Sequence, residues 1–375
     1  MTRSVTLDVL DRRLIHALQI DGRASFSRIG AVLGVPERTA ARRYHRLRSA
    51  LVVRVVGLVD SGRIGMLDWF VRIDCAPDAA DALTAALAQR DDTSWIAPLA
   101  GGTRLTCMVR TPGAGSADGR GLFDDLLRTP GIRDVEAGCV LRPVAGVGGW
   151  TGRTSALDAS ERAALLGSAE APALGDGPSP GGGTDSREPS GGSEATGPGE
   201  APGSWGEAEA RLAGELALDG RAEVARLAAV TGWSASTVRR RVAGLRAAGV
   251  LHFEVDVSPS HFGFPVEALL WLEVAPAAMA EVTEALSRHT AVAFAAVTTG
   301  RASVFAMVQC RDTAALYAYL AGDLAALPGI GRVETALVQR RAKRAGPLLL
   351  PAAERPRRSV SPARRPAASP PARGR

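Results

Sequence analysis

The chain has 375 residues and repeats part of its own sequence at a nearly constant distance. The tetrapeptide Asp-Gly-Arg-Ala at residues 21–24 recurs at 219–222, a separation of 198 residues, and residues 34–43 align with 232–241 without a gap. A Pro-Gly-Ile segment late in the first copy also returns late in the second. This period is far longer than that of a solenoid repeat. The sequence therefore predicts two related modules that form a pseudo-dimer on one chain.

Each module is predicted to begin with three helices. Apolar residues recur at helical spacing, which predicts helices over about residues 7–20, 26–33 and 36–48 in the first copy, and 207–218, 223–230 and 235–247 in the second. Gly34 and Gly232 stand between the second and third helices, where the missing Cβ suits a tight turn. Three short helices with this turn are typical of a helix-turn-helix head.

A β-branched run at residues 51–56 predicts a strand that leaves the first head as a hinge or dimer ribbon. The order that follows, strand, helix, two strands, helix and strand, predicts a ferredoxin-like βαββαβ domain. The expected fold class is therefore α+β and duplicated, with winged-helix/helix-turn-helix heads and ferredoxin-like domains. The expected boundaries are heads at 1–60 and 205–258, βαββαβ effector and dimerisation domains at 61–142 and 259–342, a linker at 143–204 and a basic tail at 343–375.

The linker at 143–204 is rich in Gly, Pro and Ser and is expected to be disordered. Within it, residues 157–166 resemble the opening of the first helix, so that either an insertion has split an ancestral helix or a separate short helix is present. The net charge is +6, and the segment 340–375 alone carries eleven basic residues against the single acid Glu354. The basic balance is largely a property of the tail and does not by itself establish a nucleic-acid-binding core.

The third helix of each head is the candidate interface with double-stranded DNA. In a helix-turn-helix the second helix of the pair enters the major groove, and its first residues reach the base edges. The outward side chains expected to contact DNA are Arg38, Thr39, Arg42, Arg43 and Arg46 in the first head and Ser236, Thr237, Arg240 and Arg241 in the second. A charged helix face is often only a solvated surface, but two such heads on one chain favour DNA binding. The two helices differ in sequence, which predicts unlike half-sites about one helical turn apart.

The chain resembles the Lrp/AsnC family of bacterial transcription regulators. The resemblance rests on Leu10-Asp11-Arg12 and Asp21-Gly22-Arg23 in the first head, on residues 236–242 in the second, and on the Pro-Gly-Ile segments. It implies that each head is paired with a βαββαβ effector domain, the RAM domain, which dimerises through its sheet. It also implies an amino acid or other small metabolite as effector, bound near the dimer contacts.

The resemblance places the effector site in the loop between the two central strands of each βαββαβ domain. The expected effector-binding residues are Gly102, Thr103, Arg104, Gly300, Arg301 and Ser303. Family members often carry an aspartate three residues after the loop glycine, whereas Leu105 and Ser303 stand there in this chain. Amino-acid sensing in the family's usual form therefore lacks its acidic partner. Arg104 and Arg301 either favour an anionic ligand or are exposed cations at strand ends.

Catalytic residues, metal sites and cofactors are not expected. The five histidines do not cluster, the four cysteines lack metal-ligand spacing, and no phosphate-binding glycine loop is present. Two alternatives stay open. The same architecture resembles the sirohaem decarboxylases of haem biosynthesis, which would make the protein an enzyme. A DNA-binding scaffold without effector sensing is the other. The absence of a signal sequence or of a long apolar run predicts a cytoplasmic protein without a membrane partner, and further self-association is expected.

Overall fold

The computed structural model describes residues 6–99, 101–113, 122–146, 150, 156–166 and 205–346. The elements of the first part are α1 (Val9–Ile20), α2 (Phe26–Leu33), α3 (Glu37–Ser49), β1 (Val53–Val59), β2 (Met66–Cys75), α4 (Ala80–Gln89), β3 (Thr93–Pro98), β4 (Arg104–Pro112), α5 (Leu122–Arg128), β5 (Ile132–Ala145) and α6 (Ala159–Leu166). Those of the second part are α7 (Glu207–Leu218), α8 (Val224–Thr231), α9 (Ala235–Ala247), β6 (Leu251–Val257), β7 (Val266–Val274), α10 (Met279–Arg288), β8 (Val292–Thr298), β9 (Val304–Cys310), α11 (Thr313–Tyr319) and β10 (Ile330–Leu337).

Helices α1–α3 and α7–α9 form two three-helix heads. Capping side chains and glycines determine where several of these helices begin and end. Ser25 caps α2 by accepting a hydrogen bond from the Arg28 amide, and Ser234 caps α9 in the same way. Gly34 and Gly232 end the preceding helices with φ of 69° and 77°, in the left-handed region that a residue without Cβ adopts freely. The sequence-predicted turns are therefore present.

Strands β1 and β6 pair in antiparallel register as a two-stranded ribbon, with Val55 opposite Val255. The two heads share one hydrophobic core with this ribbon. The run at 51–56, expected to serve as a hinge or a dimer ribbon, thus contributes residues 53–56 to a ribbon between the two halves of the chain. The winged-helix part of the prediction is wrong, because the strand after each third helix pairs with the opposite module and does not form a wing hairpin in the described residues.

Among the described residues, the other eight strands form one sheet in the order β10-β7-β9-β8-β5-β2-β4-β3. Each half has its fourth strand next to its first and its third next to its second, which is the ferredoxin-like order. Strands β5 and β8 join the halves. At the far edges, Leu99 bridges to Val338 and the Ala342 amide donates to the Ile96 carbonyl at 2.9 Å. The sheet therefore curls until its two ends meet.

Helices α4 and α5 pack on one half of the sheet, and α10 and α11 pack on the other, each over a separate apolar core. A third core lies between the inner faces of the two halves and includes Leu99, Trp150 and Trp271. The space between the sheet halves is therefore lined by side chains from both modules. In the described residues, no helix is long and apolar enough to cross a membrane.

Two predicted boundaries need correction. The segment 143–204 contains the end of β5 and also α6, whose Leu165 is fully buried against the first head. Helix α6 is a separate short helix, because α7 serves as the first helix of the second head. Residues assigned to the basic tail from 343 onward also belong partly to the fold, since Lys343 is only 4% exposed. Residues 147–149, 151–155, 167–204 and 347–375 of these two segments lie outside the described residues.

Candidate nucleic-acid interface and inner cavity

The exposed surface of α3 carries some, but not all, of the predicted DNA-contacting side chains. Arg38 and Arg42 are exposed, and within the described part of the chain neither pairs with a carboxylate. Arg43 instead turns back to α1, where its Nη1 lies 2.9 Å from Oδ1 of Asp11. Arg46 also pairs with Asp11, at 2.6 Å, although about half of its side chain stays exposed. Thr39 is half-buried at the start of the helix.

These ion pairs fix the angle between α1 and α3. Asp11 is 1% exposed, so its charge is compensated almost entirely by the two guanidinium groups. The hydrogen bonds to Asp8 and Asp11 raise the pKa of Arg43. Although its partial burial acts in the opposite direction, Asp8 has a lowered pKa because it accepts from Arg43. Arg43 therefore has a structural partner in addition to its predicted role.

The second head repeats this arrangement. Arg241 donates from Nε to Glu209 at 2.9 Å, and Glu209 is 8% exposed. Arg240 is exposed and pairs with no carboxylate among the described residues. Ser236 and Thr237 lie at the start of α9, where each hydroxyl is 2.9 Å from Oγ of Ser234. Arg42 and Arg240, which occupy equivalent positions in the repeat, are thus the matched free cations of the two helices.

The recurring Asp-Gly-Arg-Ala segment joins the two heads. Arg23 donates to the Gly220 carbonyl at 2.7 Å, and Arg221 donates to the Gly22 carbonyl at the same distance. A second reciprocal set links Arg48 to Asp219 and Arg246 to Asp21. Burial lowers the pKa of both Arg23 and Arg221. The repeated segment thus makes the same contact twice, once from each head to the other. The sequence shows the repetition but does not predict this contact.

The predicted effector loops are closed by internal contacts. Arg104 pairs with Asp74 at 2.6 Å and with Glu334 at 3.0 Å, and Arg301 pairs with Glu273 at 3.4 Å. The other predicted loop residues also have internal roles. The Thr103 carbonyl accepts from the Cys75 amide, the Ser303 hydroxyl accepts from the Val274 amide, and Gly102 and Gly300 have positive φ.

A small cavity lies beside the second loop, where Arg301 is one of its lining residues. It is bounded by Arg72, which stacks over Trp271 at 4.7 Å and pairs with Glu334 at 2.8 Å. Its volume is about 30 Å³. Arg104 and Arg72 of the first sheet half thus both pair with Glu334 of the second half. The role of the loops as an effector site stays a prediction.

A much larger cavity, about 500 Å³, lies between the two halves of the sheet. Its facing walls are equivalent positions of the two modules: Thr106, Met108 and Arg110 alternate along β4, and Phe305, Met307 and Gln309 alternate along β9. Sequence analysis missed this cavity, because alternating apolar residues on a strand also predict an ordinary packed core.

Aromatic rings form much of the cavity wall. The rings of Phe70 and Phe305 stack with centroids 3.8 Å apart, and Trp150 packs edge-on against Phe264 at 4.9 Å. Trp95 also lines the cavity, with a φ of 53° that a bulky residue rarely adopts. Backbone strain of this kind is found preferentially at ligand-contacting positions.

One side of the cavity is polar. Arg341, whose side chain is 6% exposed, pairs with Glu267 and donates to the Trp95 carbonyl at 2.8 Å. Its guanidinium also lies 5.3 Å from the centre of the Trp95 ring. Gln309 is 3% exposed. Within the described chain, Arg341 Nε, Gln309 Oε1 and Ser61 Oγ are buried without a hydrogen-bond partner, and such atoms are uncommon in a folded protein.

The histidines do not form a common site. His252 lines the cavity, and burial lowers its pKa. His16 lies in the first head, where its Nδ1 accepts from the Leu157 amide at 3.0 Å. His289 contacts Tyr319 beneath the second sheet half. The described residues contain no group of three or more His, Cys, Asp or Glu side chains placed to hold a metal ion.

The comparisons with known proteins agree with this division into heads and sandwich domains. Residues 7–48 match the model of the AsnC-type helix-turn-helix domain, and residues 267–348 match that of the Lrp/AsnC ligand binding domain. An uncharacterised HTH-type transcriptional regulator of Pyrococcus abyssi is 28% identical over 137 residues, which cover 36% of this chain and 86% of the relative. A similar regulator of Pyrococcus furiosus is 28% identical over 132 residues, covering 35% of this chain and 88% of the relative.

Among solved structures, the sirohaem decarboxylase NirDL has the same fold over most of the chain. It is 14% identical, with a TM-score of 0.52, and the match covers 90% of this chain and 93% of NirDL. The same enzyme in complex with an iron-uroporphyrin III analogue gives a TM-score of 0.53. At this identity the likeness concerns the fold alone. By its sequence matches, the chain carries an AsnC-type helix-turn-helix domain and an Lrp/AsnC ligand binding domain.

Proposed function

We propose that the protein is a transcription regulator of the Lrp/AsnC type in which both heads bind double-stranded DNA. Helices α3 and α9 are the recognition helices, and the two modules act as a pseudo-dimer. The main support for the proposal is that Arg23 and Arg221 hold the two heads together by reciprocal hydrogen bonds, while Arg42 and Arg240 are exposed at equivalent positions. Because the relative position of the heads is fixed, each of the two equivalent cations can contact one of two successive segments of the major groove.

The two heads are proposed to contact different half-sites. Arg38 of α3 aligns with Ser236 of α9 in the repeat, and both side chains are exposed. Arginine pairs with guanine through two hydrogen bonds, whereas serine accepts or donates one and discriminates less. The first head is therefore expected to prefer a guanine at a position where the second tolerates several bases.

A salt titration tests DNA binding. The full chain and a variant that ends at residue 346 are titrated with DNA from the region upstream of the protein's own gene, with and without unrelated competitor DNA. We expect both forms to bind selectively, with affinity falling steeply as salt rises, because phosphate contacts release counterions. Binding that competitor abolishes, or that is lost with residues 347–375, would contradict the proposal.

The ligand binding domain is proposed to regulate the heads through a small-molecule effector. The inner cavity touches Asp60 and Ser61, which follow β1, and also His252 and Glu254 of β6. These residues belong to the ribbon and connectors that join the heads to the sheet. A ligand in the cavity would therefore contact the segments on which the position of the heads depends. A metabolite panel that never changes the unfolding temperature would favour the scaffold without effector sensing.

Decarboxylation of a tetrapyrrole is the second candidate function. It is favoured by the fold match to NirDL over nearly the full length of both chains and by a cavity that includes His252, Arg110 and Arg344. Titration with iron-uroporphyrin III, followed by absorbance, and mass analysis of the products test it. Carbon dioxide release with tight tetrapyrrole binding would replace the regulator proposal, whereas we expect neither.

A further inference from the structure

We infer that the α6 segment, residues 157–166, is a proton-sensitive support of the first head. It is docked while His16 is neutral and is released when His16 becomes protonated, so that acid loosens the first head alone. The docking is independent of the proposed function, and only its consequence for DNA binding rests on that function.

Three contacts hold the α6 segment on the first head, one at its start, one in its middle and one near its end. They are the hydrogen bond from the Leu157 amide to Nδ1 of His16 at 3.0 Å, the ion pair of Glu161 with Arg13, and the burial of Leu165 in the core of the head. Helix α6 has eight residues, and isolated helices shorter than about 12–15 residues are marginal in water. The helix therefore depends on these contacts.

The contact at the start of the segment requires a neutral histidine. A backbone amide only donates, so Nδ1 must offer a lone pair, and the neutral ring then carries its proton on Nε2. Protonation of Nδ1 places two donors 3.0 Å apart, where His16 is 9% and Leu157 is 5% exposed. Burial, together with the charge of Arg162, lowers the pKa of His16 below its usual value of 6.5.

The other charged groups near α1 have partners of their own or face solvent. On α6, Arg162 opposes protonation of His16, whereas Glu161 favours it but pairs with Arg13. On the other elements packed against α1, Arg28 donates to the Ala164 carbonyl, Arg43 and Arg46 pair with Asp11, Arg48 with Asp219 and Asp256 with Arg54, His252 and Glu254 line the cavity, Arg12 donates to the His261 carbonyl, and Glu37, Arg38, Arg42 and His45 are exposed. Of the three docking contacts, only the one at His16 uses a side chain type that normally changes charge between pH 5 and 8.

The second head has no such contact among the described residues. The residue equivalent to His16 is Gly214, and outside its own helix no described atom lies within 4 Å of the position that a Cβ would take there. Arg211, the equivalent of Arg13, pairs with Glu207 of the same helix. A fall in pH therefore acts on the first head and leaves the second head unchanged.

Release of the α6 segment weakens the support of the first recognition helix. It withdraws Leu165 from the core of the head and Glu161 from Arg13. Helix α2, on which α6 packs, also packs against α3. If the heads bind DNA as proposed, the affinity for DNA falls in acid through the first head.

Hydrogen exchange of the full chain at pH 7.5 and pH 5.5, corrected for the intrinsic exchange rate at each pH, tests the inference. The docked state binds fewer protons than the released state, so docking has its full stability above about pH 6.5 and loses it as the pH falls through the lowered pKa. We expect about 3–10-fold less protection of α6 at pH 5.5, with protection of α8 unchanged. Equal protection of α6 at the two pH values would overturn the inference.

Three variants identify the titrating group. His16→Asn places an oxygen that does not titrate near Nδ1, and its α6 protection should change by less than about 2-fold between the two pH values. Arg162→Gln, at an exposed position, should lose less protection than the parent, because the docked state then tolerates the proton better. His289→Gln, below the second sheet half, is the control and should match the parent. If His16→Asn does not hold α6 at pH 7.5, Arg162→Gln decides, and a loss equal to that of the parent would overturn the inference.

Failure of this inference and failure of the regulator proposal are separable. Exchange is measured without DNA, so unchanged protection of α6 removes this inference and leaves the regulator. Absence of selective DNA binding at pH 7.5 removes the regulator and leaves the docking. DNA affinity should fall between pH 7.5 and pH 5.5 more for the parent than for His16→Asn, and equal falls would remove the link from α6 to DNA.

Discussion

Leu51 is the clearest case of a single residue under conformational strain. It follows α3 with a φ of 56° and is 72% exposed, whereas the equivalent residue after α9 is Gly249, with a φ of 65°. A side chain with Cβ is disfavoured in this left-handed region by about 1–2 kcal/mol. Because Leu51 packs against little, its replacement loses almost no buried surface.

We therefore expect Leu51→Gly to stabilise the protein by about 0.5–1 kcal/mol, after the greater freedom of glycine in the unfolded chain is counted. Urea unfolding followed by circular dichroism measures the change. Gly249→Ala is the matched control and should destabilise by a similar amount. A loss of stability in Leu51→Gly would contradict the account of this turn.

The pair of Asp74 and Arg104 predicts a dependence of stability on pH. The hydrogen bond from Arg104 holds the pKa of Asp74 below its usual value of 3.8, although partial burial acts the other way. The native state therefore binds fewer protons than the unfolded state in this range, so this contribution is present above about pH 4 and is lost as the pH falls through the lowered pKa.

Arg104→Gln should remove this dependence. Unfolding free energies measured between pH 6 and pH 3 should fall less steeply for the variant than for the parent protein. Arg128→Gln, at an exposed position of α5, is the control and should retain the parent slope. If the unfolding free energy of Arg104→Gln and of the parent protein falls equally with pH, this ion pair contributes nothing to the loss of stability at low pH.

At the scale of elements, α6 shows how a short helix can become part of a head. Leu165 is fully buried with the core of the first head, and Glu161 pairs with Arg13 of α1. We expect Leu165→Ala to destabilise the first head by about 2–3 kcal/mol, since burial of a leucine is lost and a cavity is left. Hydrogen exchange should show faster opening of α1 and α2, and Leu166→Ala, at a more exposed position, should have a smaller effect. Unchanged exchange in α1 would contradict the packing.

The elements of the heads and sheets were predictable where the apolar period was regular. Helix α9 has the predicted bounds, and residues 53–56 of the predicted run lie in the ribbon strand, which extends to residue 59. Helix α6 was left as one of two alternatives, because it lies in a Gly- and Pro-rich segment whose composition predicts disorder. The wing was predicted wrongly, since the partner of a strand depends on the other module and not on local pattern.

The candidate site was predictable only in part for a related reason. Helical spacing places Arg42 and Arg43 on neighbouring parts of one surface, and the sequence does not show that Asp11 lies opposite Arg43. The inner cavity depends on how two distant sheet halves face each other. Its lining residue Met307 has the same local pattern as a packed core residue. Contacts between modules therefore account for most of what the sequence did not predict.

At the scale of the whole molecule, the two halves of the chain differ at positions to which the proposed function assigns a role in binding. The heads are joined by reciprocal contacts of Arg23 and Arg221, and the sheet closes on itself around the cavity. Within this nearly twofold arrangement, Arg38 aligns with Ser236 in the sequence. In the strand registers, Arg110 lies opposite Asp68 and Gln309 lies opposite Glu267. If the chain is a pseudo-dimer, as we propose, one half can change without the other, whereas both subunits of a dimer of identical chains change together. We therefore expect an asymmetric DNA site.

The measurement that tests the central claim most directly is the salt dependence of DNA binding by Arg42→Gln, Arg240→Gln and the double variant, with Arg128→Gln as control. If both heads contact DNA together, each single variant should reduce the slope of log affinity against log salt by about one, and the double variant by about two. The control should keep the parent slope. A slope that no variant changes, or that only one of the two single variants changes, would contradict simultaneous binding of both heads to DNA.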